Sequence, residues 1–170
     1  MGSLTPAWRL LAALLCMAAA NSHAAGSMTT SVMDLELAAL DGAQFVRLSS
    51  HAGLAGRPVL INFWGSECPP CIREMPLLNA QAQLHPQIAF IGIAVDDRQH
   101  ALRYAQQQGM TYLQLAAPSQ PGALLQRFGD RINALPYTVM LDASHRICEA
   151  HLGEVDAAWL LEAASACSHP

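Results

Sequence analysis

The 170-residue sequence contains no lysine: its 9 basic residues are all arginine, scattered among 13 acidic residues. We assign the missing lysine to genome composition rather than to function. No basic cluster or stripe exists, which argues against nucleic acid as a partner. Long hydrophobic runs are lacking as well. The longest, Leu10 to Ala20, has 11 residues, whereas a membrane-spanning helix needs about 20. There are no glycine-rich or internal repeats, so solenoid architectures are excluded. Cysteine is sparse, at 5 residues. With 52% apolar and 13% charged residues, the chain can bury a core without a disulfide scaffold.

What is present begins with an export signal. Arg9 supplies a positive n-region, Leu10 to Ala20 an apolar stretch, and Ser22-His23-Ala24 small residues at positions −3 and −1. Residues 1–24 therefore read as a signal peptide cleaved after Ala24. Cys16 follows Leu15, whereas a lipidated cysteine normally follows a small residue, so neither lipidation nor an uncleaved anchor is the expectation. Residues 25–32 read as a flexible lead and 33–167 as one domain. The expected location is the periplasm, where disulfides persist, and the expected assembly is a monomer. Four cysteines survive cleavage: Cys68, Cys71, Cys148 and Cys167.

The pattern of the domain alternates strands with helices. Leu35-Glu36-Leu37 and Gln44 to Arg47 flank a turn at Asp41-Gly42 and predict a hairpin. Val59 to Phe63 is a nearly continuous apolar run, as a central buried strand requires. The apolar residues Ile72, Met75, Leu77, Leu78, Ala82 and Leu84 predict an amphipathic helix, kinked at Pro76. Ile88 to Val95 is a second buried strand. Asp96 and Asp97 cap a helix over 98–108, closed by Gly109. A short extended segment over 110–115 and a helix over 121–128 follow. Tyr137 to Leu141 and Arg146 to His151 form a late hairpin, and 156–166 the closing helix. The order predicts a three-layer α/β/α domain with a mixed sheet.

The chemistry concentrates in Trp64-Gly65-Ser66-Glu67-Cys68-Pro69-Pro70-Cys71. A strand runs straight into a Cys-x-x-Cys and a helix follows. At a helix N-terminus, unpaired N–H groups and the positive end of the dipole favour a thiolate at Cys68. Cys68 would attack a disulfide and Cys71, one turn on, would resolve the mixed disulfide. Pro69 and Pro70 stiffen the loop but withhold two backbone donors, leaving Cys68 less acidic than in strongly oxidising dithiols. A zinc site would need two further ligands at zinc spacing. Cys148 and Cys167 do not provide that spacing, and the histidines 51, 85, 100, 145, 151 and 169 are scattered, mostly at the expected surface. Neither a metal nor another cofactor is expected. Cys148 and Cys167 leave two readings open: a second disulfide, or an inert buried thiol at Cys148.

The segment Asn62 to Pro76 resembles the active-site block of TlpA/ResA-like thioredoxins, exported thiol–disulfide oxidoreductases of the thioredoxin fold. The resemblance extends over roughly residues 33–163: Leu40-Asp41-Gly42 through Ser49 looks like the family's N-terminal hairpin, Gly92 to Asp96 like its second core strand, and Phe128-Gly129 with Ala134 to Thr138 like the segment bearing its cis-proline. It implies a thioredoxin fold with an N-terminal hairpin and a cis peptide at Pro136. The Leu135 backbone would then lie beside Cys68, where a peptide substrate can pair. It implies that Glu74 takes the proton of Cys71 during resolution, with burial raising its pKa; the alternative is a solvent-facing Glu beside Arg73. Thioredoxins proper keep an Asp in the strand before the Trp, and here that residue is Asn62, which cannot titrate. Trp64 would pack beside the dithiol and shield it.

The resemblance further implies a reductase of protein disulfides, apocytochrome c or copper-site proteins among them, fed electrons by a membrane thiol reductant. DsbA-like oxidases carry an inserted helical domain for which this chain has no room. One departure is Glu67, where the family most often has Trp or another bulky residue. A carboxylate there would disfavour the thiolate and repel acidic partners, or simply face solvent. A competing class is a Cu(I) metallochaperone, since thiolates suit Cu(I); thioredoxin-fold copper proteins usually space their cysteines by three and add a distant His. A peroxidase of the related peroxiredoxins fits less, because their reactive cysteine has no second cysteine three residues on.

Overall fold

In a computed structural model, the structure describes residues 31–168. The signal peptide, most of the lead and His169 lie outside the described residues. Seven strands form one mixed sheet: β1 (Glu36–Ala39), β2 (Phe45–Arg47), β3 (Val59–Trp64), β4 (Ala89–Ala94), β5 (Leu113–Ala116), β6 (Tyr137–Leu141) and β7 (Ile147–Leu152). Their spatial order is β2-β1-β5-β4-β3-β6-β7. The pairs β3/β4 and β4/β5 are parallel, and the remaining neighbours antiparallel. Four helices join them: α1 (Pro69–Leu84), α2 (Arg98–Gln107), α3 (Gly122–Arg127) and α4 (Ala157–Ala166).

Strand periodicity divides the side chains between two faces. In β3, Val59, Ile61 and Phe63 enter one core with Leu124 and Leu125 of α3. Leu60 and Trp64 enter the opposite face, where α1, α2 and α4 contribute Met75, Leu78, Ala101, Leu160 and Ala163. This is the expected three-layer α/β/α arrangement. All six residues of β3 and all six of β4 are buried, as strands covered on both faces must be.

Two local expectations are corrected. The first helix starts at Pro69, directly after Cys68 as expected, because proline suits the first helical positions. The helix runs on past Pro76, whose ring removes the bond to the Ile72 carbonyl. Its buried stripe is Cys71, Glu74, Met75 and Leu78, a helical i, i+3, i+4, i+7 spacing that includes a carboxyl. Leu84, expected on that stripe, is exposed because it sits at the helix's last turn. Finally, only Asp97 caps α2, accepting from the Gln99 and His100 N–H groups.

Cys148 of β7 and Cys167, just past α4, form a disulfide with Cα atoms 5.7 Å apart. This closes the reading of Cys148 as an inert thiol. The bond spans 19 positions and pins α4 to the sheet edge. Closing a loop of that size in the unfolded chain is worth about 3 kcal/mol. The double variant Cys148→Ala/Cys167→Ala is therefore expected to lose about 3 kcal/mol in a urea titration. An unchanged midpoint would show that the bond constrains nothing.

Candidate active site

β3 ends at Trp64, deep in the sheet, and the chain turns through Gly65–Glu67 to make Cys68 the N-cap of α1. Pro69 and Pro70 take the first two helical positions. They lack N–H groups, so the first donor aimed at Cys68 Sγ is the Cys71 N–H, at 3.3 Å. The two sulfurs are bonded, with Cα atoms 5.3 Å apart. Exposure separates them: Cys71 is wholly buried and Cys68 is partly exposed. An incoming thiolate can therefore reach the Cys68 sulfur and not that of Cys71.

Glu74 follows Cys71 by three residues and lies on the same buried stripe, with 1% of its surface exposed. The solvent-facing alternative is thus excluded. Its Oε1 accepts from Asn62 Nδ2 at 2.7 Å and its Oε2 from the Val155 N–H at 2.9 Å. Asn62 Nδ2 also donates to Thr138 Oγ1 at 2.9 Å. Burial pushes the Glu74 pKa up from 4.5 to about 7. The two donors pull against that shift, and the charge of Glu154 adds to it. Glu154 is itself held in an ion pair with Arg73 at 2.9 Å. A buried carboxyl poised near neutrality can both take and return a proton.

Trp64 is wholly buried in one cluster with Cys71 and Met75, against which Cys68 and Leu135 also pack. Its Nε1 donates to Gln114 Oε1 at 3.1 Å, and its ring lies 6.1 Å from that of Tyr104. It backs the dithiol from inside the core and presents no surface to a partner. The Leu135–Pro136 peptide is cis. Leu135 packs against the same cluster, 3.6 Å from where a Gly65 side chain would begin. The dithiol, Trp64, Glu74 and the cis-proline segment are thus brought together.

Glu67 and Pro69 are exposed and Pro70 is partly so. The Glu67 charge stands in solvent, where screening is strongest. A second acid reaches the same loop. Asp96, expected as a helix cap, instead accepts from Ser66 N at 2.5 Å and Ser66 Oγ at 2.6 Å. The histidines are less superficial than expected: His145 Nε2 lies 2.9 Å from the Leu54 carbonyl, and the His151 ring lies 5.3 Å from that of Trp159. Among the described residues, no group of three or more His, Cys, Asp or Glu could hold a metal ion. No helix among them is long and apolar enough to cross a membrane.

Sequence reasoning missed Thr138, Val155, Gln114 and Asp96 as parts of the site. Thr138 and Gln114 did carry a signal, since each is the lone polar residue facing α1 from an otherwise apolar strand. Val155 acts through its backbone and carried none.

The Redoxin family matches over residues 24–165. The chain is 32% identical over 108 residues to the thiol:disulfide interchange protein DsbE of Xylella fastidiosa, covering 63% of this chain and 53% of that protein. It is 27% identical over 107 residues to the thiol-disulfide oxidoreductase ResA of Bacillus thuringiensis, covering 59% of this chain and 58% of that one. The chain therefore spans little more than half the length of these curated relatives. In three dimensions it resembles a putative thioredoxin from Neisseria meningitidis, with a TM-score of 0.65 and 25% identity over 79% of this chain and 88% of that one. The architecture is that of the thioredoxin fold.

Proposed function

Because the chain belongs to the Redoxin family, we propose that it is an exported thiol–disulfide oxidoreductase acting on protein disulfides through Cys68 and Cys71. The observation that carries this reading is the asymmetry of the pair. One sulfur is reachable, its partner is wholly buried, and a buried carboxyl with a pKa of about 7 lies one turn beyond.

The cycle follows from that asymmetry. The Cys68 thiolate attacks one sulfur of a substrate disulfide; a Cys68–substrate bond forms and the substrate's other sulfur leaves as thiolate. The Cys71 thiol gives its proton to the Glu74 carboxylate and attacks Cys68 Sγ. The Cys68–Cys71 disulfide forms, the second substrate sulfur leaves, and two electrons have passed to the substrate. A membrane thiol reductant restores the dithiol by the reverse exchange, with Glu74 returning the proton to Cys71. Leu135 and Pro136 shape the groove where the substrate backbone pairs. Glu67, Pro69 and Pro70 form its rim, and Trp64 supports the dithiol from behind.

In this reading a signal peptide over 1–24 and a lead over 25–32 precede the folded unit 33–167, and the protein works in the periplasm as a monomer on substrates such as apocytochrome c or copper-site proteins. The test is catalysis of protein disulfide reduction by the purified protein with a dithiol donor, alongside the redox state of Cys68 and Cys71 in the exporting cell. Catalysis and a mostly reduced pair are expected. A mostly oxidised pair would reverse the direction. Stoichiometric tight Cu(I) without disulfide exchange would replace the reading by the metallochaperone.

A further inference from the structure

β3 and β4 run parallel and end in register, Trp64 beside Ala94. The Val95 N–H donates to the Trp64 carbonyl at 2.9 Å, so the two chains leave the sheet side by side. One of them becomes the turn that carries the nucleophile. There the Cys68 N–H donates to the Gly65 carbonyl at 3.2 Å, the closing bond of a four-residue turn. The other chain supplies Asp96. A single oxygen of its carboxylate, Oδ2, accepts from both the Ser66 N–H at 2.5 Å and the Ser66 hydroxyl at 2.6 Å. Hydrogen bonds to an ionised acceptor are the stronger kind. The neighbouring Asp97 caps α2 and takes no part in this anchor.

A Cβ on Gly65 would stand 3.6 Å from Asp96 Oδ2 and 3.6 Å from Leu135 Cδ1. The anchoring oxygen and the residue before the cis peptide therefore meet the turn at the same place. The head of α1 is held by other bonds. The Ile72 N–H donates to the Cys68 carbonyl at 3.0 Å, and the Cys71 N–H points at Cys68 Sγ from 3.3 Å. Those bonds fix Cys68 relative to Cys71. They do not fix it relative to Leu135, which arrives from the segment between α3 and β6.

We propose that Asp96 is a positioning residue for the first attack: through Ser66 it holds the Cys68 turn in register with the Leu135–Pro136 segment, so that Cys68 Sγ meets the disulfide of a peptide lying there. This rests on the reading of that segment as the substrate groove. In this step the Cys68 sulfur bonds to one substrate sulfur, and the other substrate sulfur leaves as thiolate. A misplacement of about 1 Å at such a step can cost about 10²-fold. A peptide held by its backbone cannot follow a displaced Cys68, whereas a small disulfide without a backbone can. Asp96 thus sets the preference for peptide disulfides more than the reactivity of the thiolate.

The experiment compares the full folded protein, in its reduced form, with Asp96→Ala and Asp96→Asn. Asp96 is exposed, so neither replacement disturbs the core. Second-order rates are measured on two neutral substrates. One is a blocked peptide disulfide without charged side chains; the other is hydroxyethyl disulfide, which has no backbone to pair. The quantity read is the ratio of the peptide rate to the small-disulfide rate. A change in Cys68 acidity or in the folded fraction alters both rates alike and cancels in that ratio. Asp96→Ala is expected to lower the ratio about tenfold, within what a misplacement of less than 1 Å can do. Asp96→Asn is expected to restore it, because the amide oxygen can accept from both Ser66 donors while its NH2 turns to solvent. An unchanged ratio in Asp96→Ala overturns the proposal. An equal fall in Asp96→Asn also overturns it, by assigning the effect to charge. A wild type with no preference for the peptide removes the groove reading and this proposal with it. A wild type that has the preference keeps the groove reading, whatever the Asp96 variants do.

Discussion

Cys68→Ser is expected to reduce disulfide exchange to the uncatalysed background, a loss of more than about 10³-fold, as removal of a nucleophile does elsewhere. A hydroxyl at the N-cap cannot attack a disulfide at neutral pH, and Cys71, wholly buried, cannot take over the outer position. Cys71→Ser should behave differently. Its Cys68 remains partly exposed at the head of α1, so the first attack proceeds and the second is blocked. Covalent adducts with substrate should accumulate at one per protein and be visible by mass spectrometry. Because Cys71 is buried, its replacement leaves a hydroxyl in the core at a cost of about 1–3 kcal/mol. Circular dichroism must therefore show both variants folded. A Cys68→Ser protein that still reduced disulfides would sink the assignment. Trapped adducts in the Cys71→Ser protein, with none in Cys68→Ser, would fix the order of attack.

That Cys68 heads α1 was legible in the sequence. A strand–Cys-x-x-Cys–helix pattern fixes which cysteine caps the helix, and the apolar run of β3 fixes how deep the strand lies. The sheet's layers and most elements followed from periodicity in the same way, because both faces of β3 and β4 are covered. What escaped were contacts between residues distant in sequence. The Asn62–Glu74–Val155 bonds join β3, α1 and the β7–α4 loop, and the Cys148–Cys167 bond depends on how α4 returns along β7. Neither is encoded in local spacing. Asp96 shows the limit most clearly. Adjacent aspartates before a helix offer two equivalent caps, and the tertiary approach of Ser66 decides that one of them leaves. The cis form of Pro136 rested on resemblance, since spacing alone does not distinguish it from a trans proline beginning a strand.

Glu74→Gln is expected to change both the pH profile of resolution and the pH dependence of stability, in directions set by its raised pKa. In the wild type, Glu74 below pH 7 is protonated and cannot accept the Cys71 proton. Resolution should therefore accelerate as pH rises through about 7, the value to which burial lifts this carboxyl. The glutamine keeps the shape but accepts no proton, and its NH2 meets a donor where one Glu74 oxygen accepted from Asn62 or Val155. That inflection should vanish, and the rate at pH 8 should fall by about 10²-fold, the low end of general-base effects. Stability follows by linkage. The folded state holds the Glu74 proton more tightly than the unfolded chain, where the group titrates near 4.5. Below that value both states are protonated and the group is neutral to folding. Between 4.5 and about 7 folding takes up a proton, so rising pH lowers stability, and above about 7 the loss is complete. The total is about 3 kcal/mol, carried by a group with 1% exposure. Urea titrations of the oxidised proteins at pH 5 and pH 8 read it directly. The wild type should lose more stability over that interval than Glu74→Gln by most of this amount. Equal losses would mean that Glu74 is ionised throughout, and a carboxylate already ionised at pH 5 would not be the proton acceptor that switches on near neutrality.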